Sequence, residues 1–171
     1  SEVTAAVRAI PVEIGQTVEA GTVLIELDSR DAGLALQRAQ AVLAAAEARI
    51  RLADFQLQRA RELHQRNFAS ADTLTQRETE RALAQAERAG AAAHVASAQR
   101  DLDKCTIRAP YRAIVHARSA QLGELAVPGT PLLTLIDVSR IEVSARIQPK
   151  DSAALQATDD IRFIAPDGEQ R

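Results

Sequence analysis

The sequence has little of what a thick globular core is built from. It contains three phenylalanines, one tyrosine, no tryptophan and no methionine. Aromatic rings supply the largest single burials in a core, so Phe55, Phe68, Tyr111 and Phe163 alone point to a thin core and an elongated molecule. The single cysteine, Cys105, excludes an internal disulfide. Standing at a helix end before an apolar strand, it reads as a buried structural thiol. No apolar run approaches the length of a membrane span, and no signal-like segment opens the chain. The absence of methionine, a starting one included, gives the expectation of a mature or cut fragment. Lysine is almost missing too: of 21 basic residues only Lys104 and Lys150 are lysines. The net charge of −2 offers no field to gather nucleic acid or an anionic membrane.

Hydrophobic residues still make up 46% of the 171 positions, and much of that share is alanine, which supports helices better than it fills cores. The other abundant ingredient, arginine, pairs with carboxylates along exposed helices through its planar fork.

A repeat organises the two ends of the β-rich sequence. GQTVEAGTVLIELD begins at Gly15, and GELAVPGTPLLTLID begins at Gly123. Gly15, Gly21, Thr22, Leu24 and Leu27 recur at an offset of 108 as Gly123, Gly129, Thr130, Leu132 and Leu135. Glycine at such positions permits tight turns with positive φ, and the leucines supply inward-facing anchors. Two matched half-motifs imply the halves of one pseudo-symmetric sandwich.

Between the halves the pattern is helical. Leu36, Leu43, Ile50 and Leu57 stand seven apart, and Ala39, Ala46, Ala53 and Ala60 follow each by three. That is a heptad seam, the signature of coiled-coil packing. Ser29 is the expected N-cap of this helix, with Arg30 and Asp31 in its first turn. Asn67-Phe68-Ala69 breaks the pattern, and Ser70 can cap a second helix that runs to about Lys104. In that second helix Val95 and Leu102 continue one stripe, while Ala82, Ala89 and Ala96 form a smoother one. So short a turn makes the helices an antiparallel hairpin. Glu47 with Arg51, and Glu80 with Arg88, are expected as solvated pairs. After Pro110, Ile114 and Val115 resume β structure. IEVSARI and DIRFIAPDG read as strands around a short helix in PKDSAALQ, too little to close a sheet alone.

This order of parts resembles the periplasmic adaptors, or HlyD-like membrane fusion proteins, of Gram-negative tripartite efflux pumps. The carrying residues are VEIGQTVEAGTVLIELDSRDA at 12–32, TIRAPYRAIV at 106–115 and GELAVPGTPLLTLIDVSRIEV at 123–143. The resemblance implies an α+β chain: a split lipoyl-like, barrel-sandwich hybrid β domain over 1–28 and 107–138. A coiled-coil α-helical hairpin over 29–106 interrupts it, and the start of an incomplete β-barrel domain follows over 139–171. Leu27, Asp28 and Ser29 would hand the chain to the hairpin, and Thr106 and Pro110 would take it back. Arg59, Leu63 and Ser70 reproduce the spacing Arg-x3-Leu-x6-Ser, which in this family docks the hairpin tip onto a TolC-type outer-membrane channel. Taken without that architecture, the same residues read as a solvated arginine, a seam leucine and an N-cap. The resemblance further implies self-association into a ring. It also implies an inner-membrane transporter partner, with the resistance-nodulation-division type favoured over ATP-driven and major facilitator types. The location would be the periplasm, with anchoring to the inner membrane by a segment absent from this chain. Ala113 and Ala5 depart from the pattern, standing where the family places glycine.

Other function classes find less support. His64, His94 and His116 lie on different elements without metal-ligand spacing, and no serine or cysteine has a positioned base. No catalytic, cofactor-binding or metal site is expected, nor a nucleic-acid partner. A lipoyl or biotinyl carrier would present a modified lysine between the half-motifs. Here Leu27-Asp28-Ser29 and the helices occupy that place, and Lys104, expected buried beside Cys105, is elsewhere. A passive coiled-coil scaffold in the envelope, and a type I secretion adaptor within the family, are the remaining alternatives.

Overall fold

The computed structural model describes residues 1–138; the strands and short helix expected over 139–171 lie outside the described residues. The elements in chain order are β1 (Ala5–Ala9), β2 (Thr17–Val18), β3 (Val23–Leu27), α1 (Arg30–Gln65), α2 (Ala71–Asp103), β4 (Thr106–Arg108), β5 (Ala113–Arg118), β6 (Leu125–Ala126) and β7 (Leu133–Asp137). The strands form two antiparallel sheets, one in the order β4-β3-β1-β6 and the other β2-β5-β7. This is the split lipoyl-like sandwich with a hairpin thrown out between β3 and β4.

The sequence repeat is a repeat of structure down to single hydrogen bonds. Val7 faces Leu27 in one sheet and Val115 faces Leu135 in the other, at the same offset of 108. Ala6 pairs Leu125 as Ile114 pairs Thr17. The Gly15 N–H donates to the Val115 carbonyl at 2.8 Å, and the Gly123 N–H to that of Val7 at 2.9 Å. Each half therefore supplies the glycine turn that closes on the other half's strand. The glycines at 15, 21, 123 and 129 all have φ between 80° and 86°, the left-handed region where a Cβ is strained. Ala5 and Ala113 lie in paired strands and do not have positive φ, so the alanines fit the turn geometry without glycine.

The sandwich core is aliphatic. Val7, Val18, Leu24, Ile25, Leu27, Val115, Ala126 and Leu132 are buried in it, and Cys105 and Ala113 close its ends. No polar side chain is buried among the described residues. The repeat leucines serve as anchors, Leu135 from a half-buried position against the cluster.

The hairpin is built differently. α1 has 36 residues, about 54 Å at 1.5 Å each. Its expected seam faces α2: Leu36, Leu43 and Ile50 are half-buried, and Ala53, Leu57 and Ala60 are buried. α2 answers with Ala84 and Ala91 buried and Val95, Ala98 and Leu102 half-buried. Ala82, Ala89 and Ala96 lie outside that seam and are exposed. Arginines stand beside the alanines on the seam edge, and four of them form ion pairs across the hairpin: Arg81 with Asp54 at 2.7 Å, Arg88 with Glu47 at 3.7 Å. Arg61 meets Glu78 at 3.2 Å and Arg49 meets Glu87 at 2.6 Å. Glu47 thus pairs across the hairpin, not with Arg51, and Glu80 pairs with Arg77 on its own helix. An exposed pair contributes roughly 0.2–1 kcal/mol, whereas truncating a buried leucine such as Leu57 costs about 2–5 kcal/mol. Packing therefore supplies the stability, and the arginine pairs fix which turns stand level.

Gly90 has nothing within 4 Å of the place a Cβ would occupy, so its only effect on the hairpin is the backbone freedom of glycine. Gly90→Ala is expected to stabilise the monomeric chain by about 1 kcal/mol in denaturant unfolding.

Candidate functional site: the hairpin tip and its base

The tip is a five-residue connection between Gln65 and Ala71. α1 ends in a Schellman motif: the Phe68 N–H donates to the Leu63 carbonyl at 2.8 Å and the Asn67 N–H to that of His64 at 2.9 Å. Asn67 takes the left-handed position with φ 61°, the one non-glycine residue to do so among those described. The chain turns at once, and Ser70 opens α2. Its Oγ accepts the Thr73 N–H at 3.1 Å and lies 2.9 Å from the Thr73 hydroxyl, so Ser70 is a true side-chain cap. His64 is half-buried beneath the turn, its Nδ1 2.9 Å from the Ala69 carbonyl.

Arg59 and Leu63 lie one turn apart on α1 and are both exposed. Leu63 is not held in the seam, and Arg59 makes no ion pair among the described residues. A forked cationic donor and an apolar side chain thus stand one turn apart on the last turns of α1, and Ser70 opens the returning helix. The residue that sequence reasoning passed over is Phe68. It reads there only as part of a helix break, yet its ring is 79% exposed at the apex. The signal was available: an aromatic in a chain with so few, set among Asn, Arg and Ser in a turn.

The base of the hairpin is the second part of the site. The Leu27 N–H donates to the Cys105 carbonyl and the Asp28 N–H to that of Ala6, both at 2.8 Å. Glu26 faces Thr106 across β3 and β4. Farther along, the Ala109 and Thr22 backbones bond at 2.9 Å before exposed Pro110. Ser29 occupies the N-cap position of α1 but makes no side-chain cap bond. Asp28 does that work: its Oδ1 accepts the Arg30 N–H at 3.1 Å and the Arg30 Nε at 3.0 Å. A carboxylate before a helix accepts these donors better than a hydroxyl. The bonds from the Arg30 guanidinium and N–H hold the Asp28 carboxyl down at about 2. Burial pushes the Cys105 thiol up, helped by Asp101 and Asp28 nearby; the thiol is inert, as its position in sequence suggests. Lys104 is exposed rather than buried, with its ammonium 3.2 Å from Glu2. An open cleft of about 660 Å³ at this joint is lined by Asp28, Asp31, Asp101 and Cys105. Among the described residues no group of three or more His, Cys, Asp and Glu could hold a metal ion, and no helix is long and apolar enough to cross a membrane.

A pseudo-symmetric sandwich, whose paired strands β3 and β4 carry a helical hairpin with an exposed tip, is a barrel-sandwich hybrid. The chain belongs to the CzcB-like, barrel-sandwich hybrid domain family, whose model matches residues 1–137. The resemblance read from the sequence therefore holds at the level of family. The chain is similar to nodulation protein NolF of Rhizobium meliloti (strain 1021), 29% identical over 147 residues, covering 86% of this chain and 40% of NolF. It is also similar to the uncharacterized protein YdhJ of Escherichia coli (strain K12), 32% identical over 136 residues, or 80% of this chain and 47% of YdhJ. The chain thus spans less than half the length of either relative. Among solved structures, a MacA-MexA chimera containing the Pseudomonas aeruginosa MexA α-hairpin domain superposes with a TM-score of 0.61. That match has 25% identity and covers 81% of this chain and 46% of the chimera.

Two outcomes test this geometry. Ser70→Ala removes the α2 cap and is expected to cost about 1 kcal/mol in thermal or denaturant unfolding. Asp28 binds its proton less readily folded than unfolded, since its carboxyl falls from 3.8 to about 2. Its contribution to the joint is accordingly complete above about pH 4 and lost as pH falls toward 2. A pH series of unfolding midpoints should decline less steeply over that window in Asp28→Asn than in the parent.

Proposed function

We propose that the chain is the sandwich-and-hairpin part of a periplasmic adaptor subunit in a tripartite efflux system. It links an inner-membrane transporter to a TolC-type outer-membrane channel through the hairpin tip. The supporting observation is the tip itself. Arg59, Leu63 and Phe68 are presented to solvent at the end of a helix pair about 54 Å long. No fold requirement explains an exposed leucine and phenylalanine there. The guanidinium offers a planar set of donors to carbonyls or carboxylates on a channel's helical rim, the apolar pair fills a groove beside it, and Ser70 fixes the turn that presents them.

The work in this reading is mechanical. The sandwich clamps the base of the hairpin, the hairpin spans distance in the periplasm, and several copies form a ring around a conduit. The Arg-x3-Leu-x6-Ser spacing supports a resistance-nodulation-division transporter as the inner-membrane partner.

Arg59→Asp and Leu63→Ala change exposed side chains away from the buried core, so each is expected to leave helicity intact and stability within about 0.5 kcal/mol. Each is also expected to abolish drug or solute export when introduced into the full-length protein in cells. Normal export by both variants would favour a passive scaffold and sink tip docking.

A further inference from the structure

The seam of α1 ends on a residue that is foreign to it in chemistry. Leu36, Leu43, Ile50 and Leu57 occupy every seventh position, and the next place in that phase is His64. A leucine there would bury more apolar surface than an imidazole, so helix packing gives no reason for the histidine. A polar side chain at a seam position costs stability and fixes geometry instead.

What His64 fixes is the turn. Of residues 61–70 only His64 and Ala69 are half-buried, and the rest are exposed. The Ala69 carbonyl can only accept, so their 2.9 Å contact assigns the hydrogen to His64 Nδ1. The backbone bonds that end α1 reach no farther than the Phe68 N–H, and the bonds that start α2 begin at Ser70. Ala69 lies in the gap between the two sets. Among the described residues, the His64 ring makes the one hydrogen bond that carries α1 across that gap.

The placement bears on the residues of the proposed docking face. His64 follows Leu63 directly, and Ala69 directly precedes Ser70. The bond therefore ties together the two chain segments that hold Leu63 and Ser70. Phe68 stands between its ends, its own N–H bonded to the Leu63 carbonyl at 2.8 Å.

We propose that His64 is the positioning residue of the tip: its Nδ1–H clasps the Ala69 carbonyl and so sets Leu63, Phe68 and Ser70 in one arrangement for the channel. The inference rests on the adaptor reading for what the tip meets, while the clasp itself is a property of this turn. An untied turn samples other arrangements, and a partner then binds only the fraction that presents the correct one. In the adaptor reading several copies dock together, so the loss per copy multiplies.

The test compares three variants of the full-length protein with the parent. His64→Leu continues the seam and removes the donor. His64→Asn places an amide nitrogen at the same reach from the backbone as Nδ1, and His64→Gln places it one carbon too far. Trypsin cleavage after Arg66, exposed within the turn, reads how often the turn opens, and mass spectrometry separates that cut from others. His64→Leu is expected to be cut there roughly fivefold faster than the parent, the worth of one net hydrogen bond. Its thermal midpoint should be equal or higher. His64→Asn should restore the parent cleavage rate, and His64→Gln should not. Export in cells should follow the cleavage ranking rather than the thermal one, falling severalfold in His64→Leu and returning in His64→Asn. A histidine that merely packs would move export and thermal midpoint together.

Unchanged cleavage in His64→Leu overturns the clasp. Equal rescue by His64→Gln and His64→Asn overturns it too, because any polar side chain would then serve. Faster cleavage with normal export overturns the positioning role when Leu63→Ala stops export. If Leu63→Ala also exports normally, the adaptor reading has failed and the positioning role goes with it, while the cleavage ranking still decides the clasp.

Discussion

The pairing of β3 with β4 is the constraint on which the rest depends. A chain that leaves a sandwich for a long excursion must return next to its point of departure, or the sandwich opens. Here Ile25 faces Ile107 and Glu26 faces Thr106, so the last residues before the hairpin and the first after it belong to one ladder. That ladder sets the helices side by side before any helix contact forms. The loop-closure cost of the inserted residues is met by local strand bonds at one end and a tight turn at the other. Cys105 and Leu27, buried in the same core and joined by a backbone bond, lock the point of exchange.

Above this joint the physics changes. The sandwich has two sheets to bury between and fills the space with branched aliphatics. Two helices alone can only half-cover one another, and most of the α1 seam stays half-buried except around Ala53, Leu57 and Ala60. Alanine at alternate seam positions brings the helices close, and arginines on the rim close over them. The tip follows the same economy: backbone caps end one helix, a serine hydroxyl starts the next, and the apolar side chains there are left to face outward.

The offset of 108 between the glycine repeats was legible because turns with positive φ admit few residues, and the strand register repeats at that same offset. The α1 seam was legible because leucine and isoleucine mark it. α2 was harder: alanine occurs in several helical phases between Ala82 and Ala98, so the smoother stripe at Ala82, Ala89 and Ala96 was an outer one, and only Val95 and Leu102 pointed to the true seam. Ser29 looked like a cap because of its type and place, but the adjacent carboxylate of Asp28 took the donors. Glu47 with Arg51 obeyed helix spacing, yet a partner helix offered Arg88, and no single-helix rule sees that choice. At the tip, Arg59, Leu63 and Ser70 could be placed on one end of the hairpin from spacing alone. Phe68 was passed over as part of the helix break, although an aromatic in a turn of Asn, Arg and Ser set it apart, and the structure leaves it exposed at the apex.

The arginine pairs that cross the hairpin are all at least about a third exposed, within reach of mobile ions whose screening length near physiological salt is about 8 Å. The sandwich core, with no buried polar side chain among the described residues, is indifferent to such screening. Ionic strength is therefore a mechanical variable for one half of the molecule and not the other. As salt rises the cross-ties slacken, and the helix pair becomes a more compliant rod on an unchanged hub.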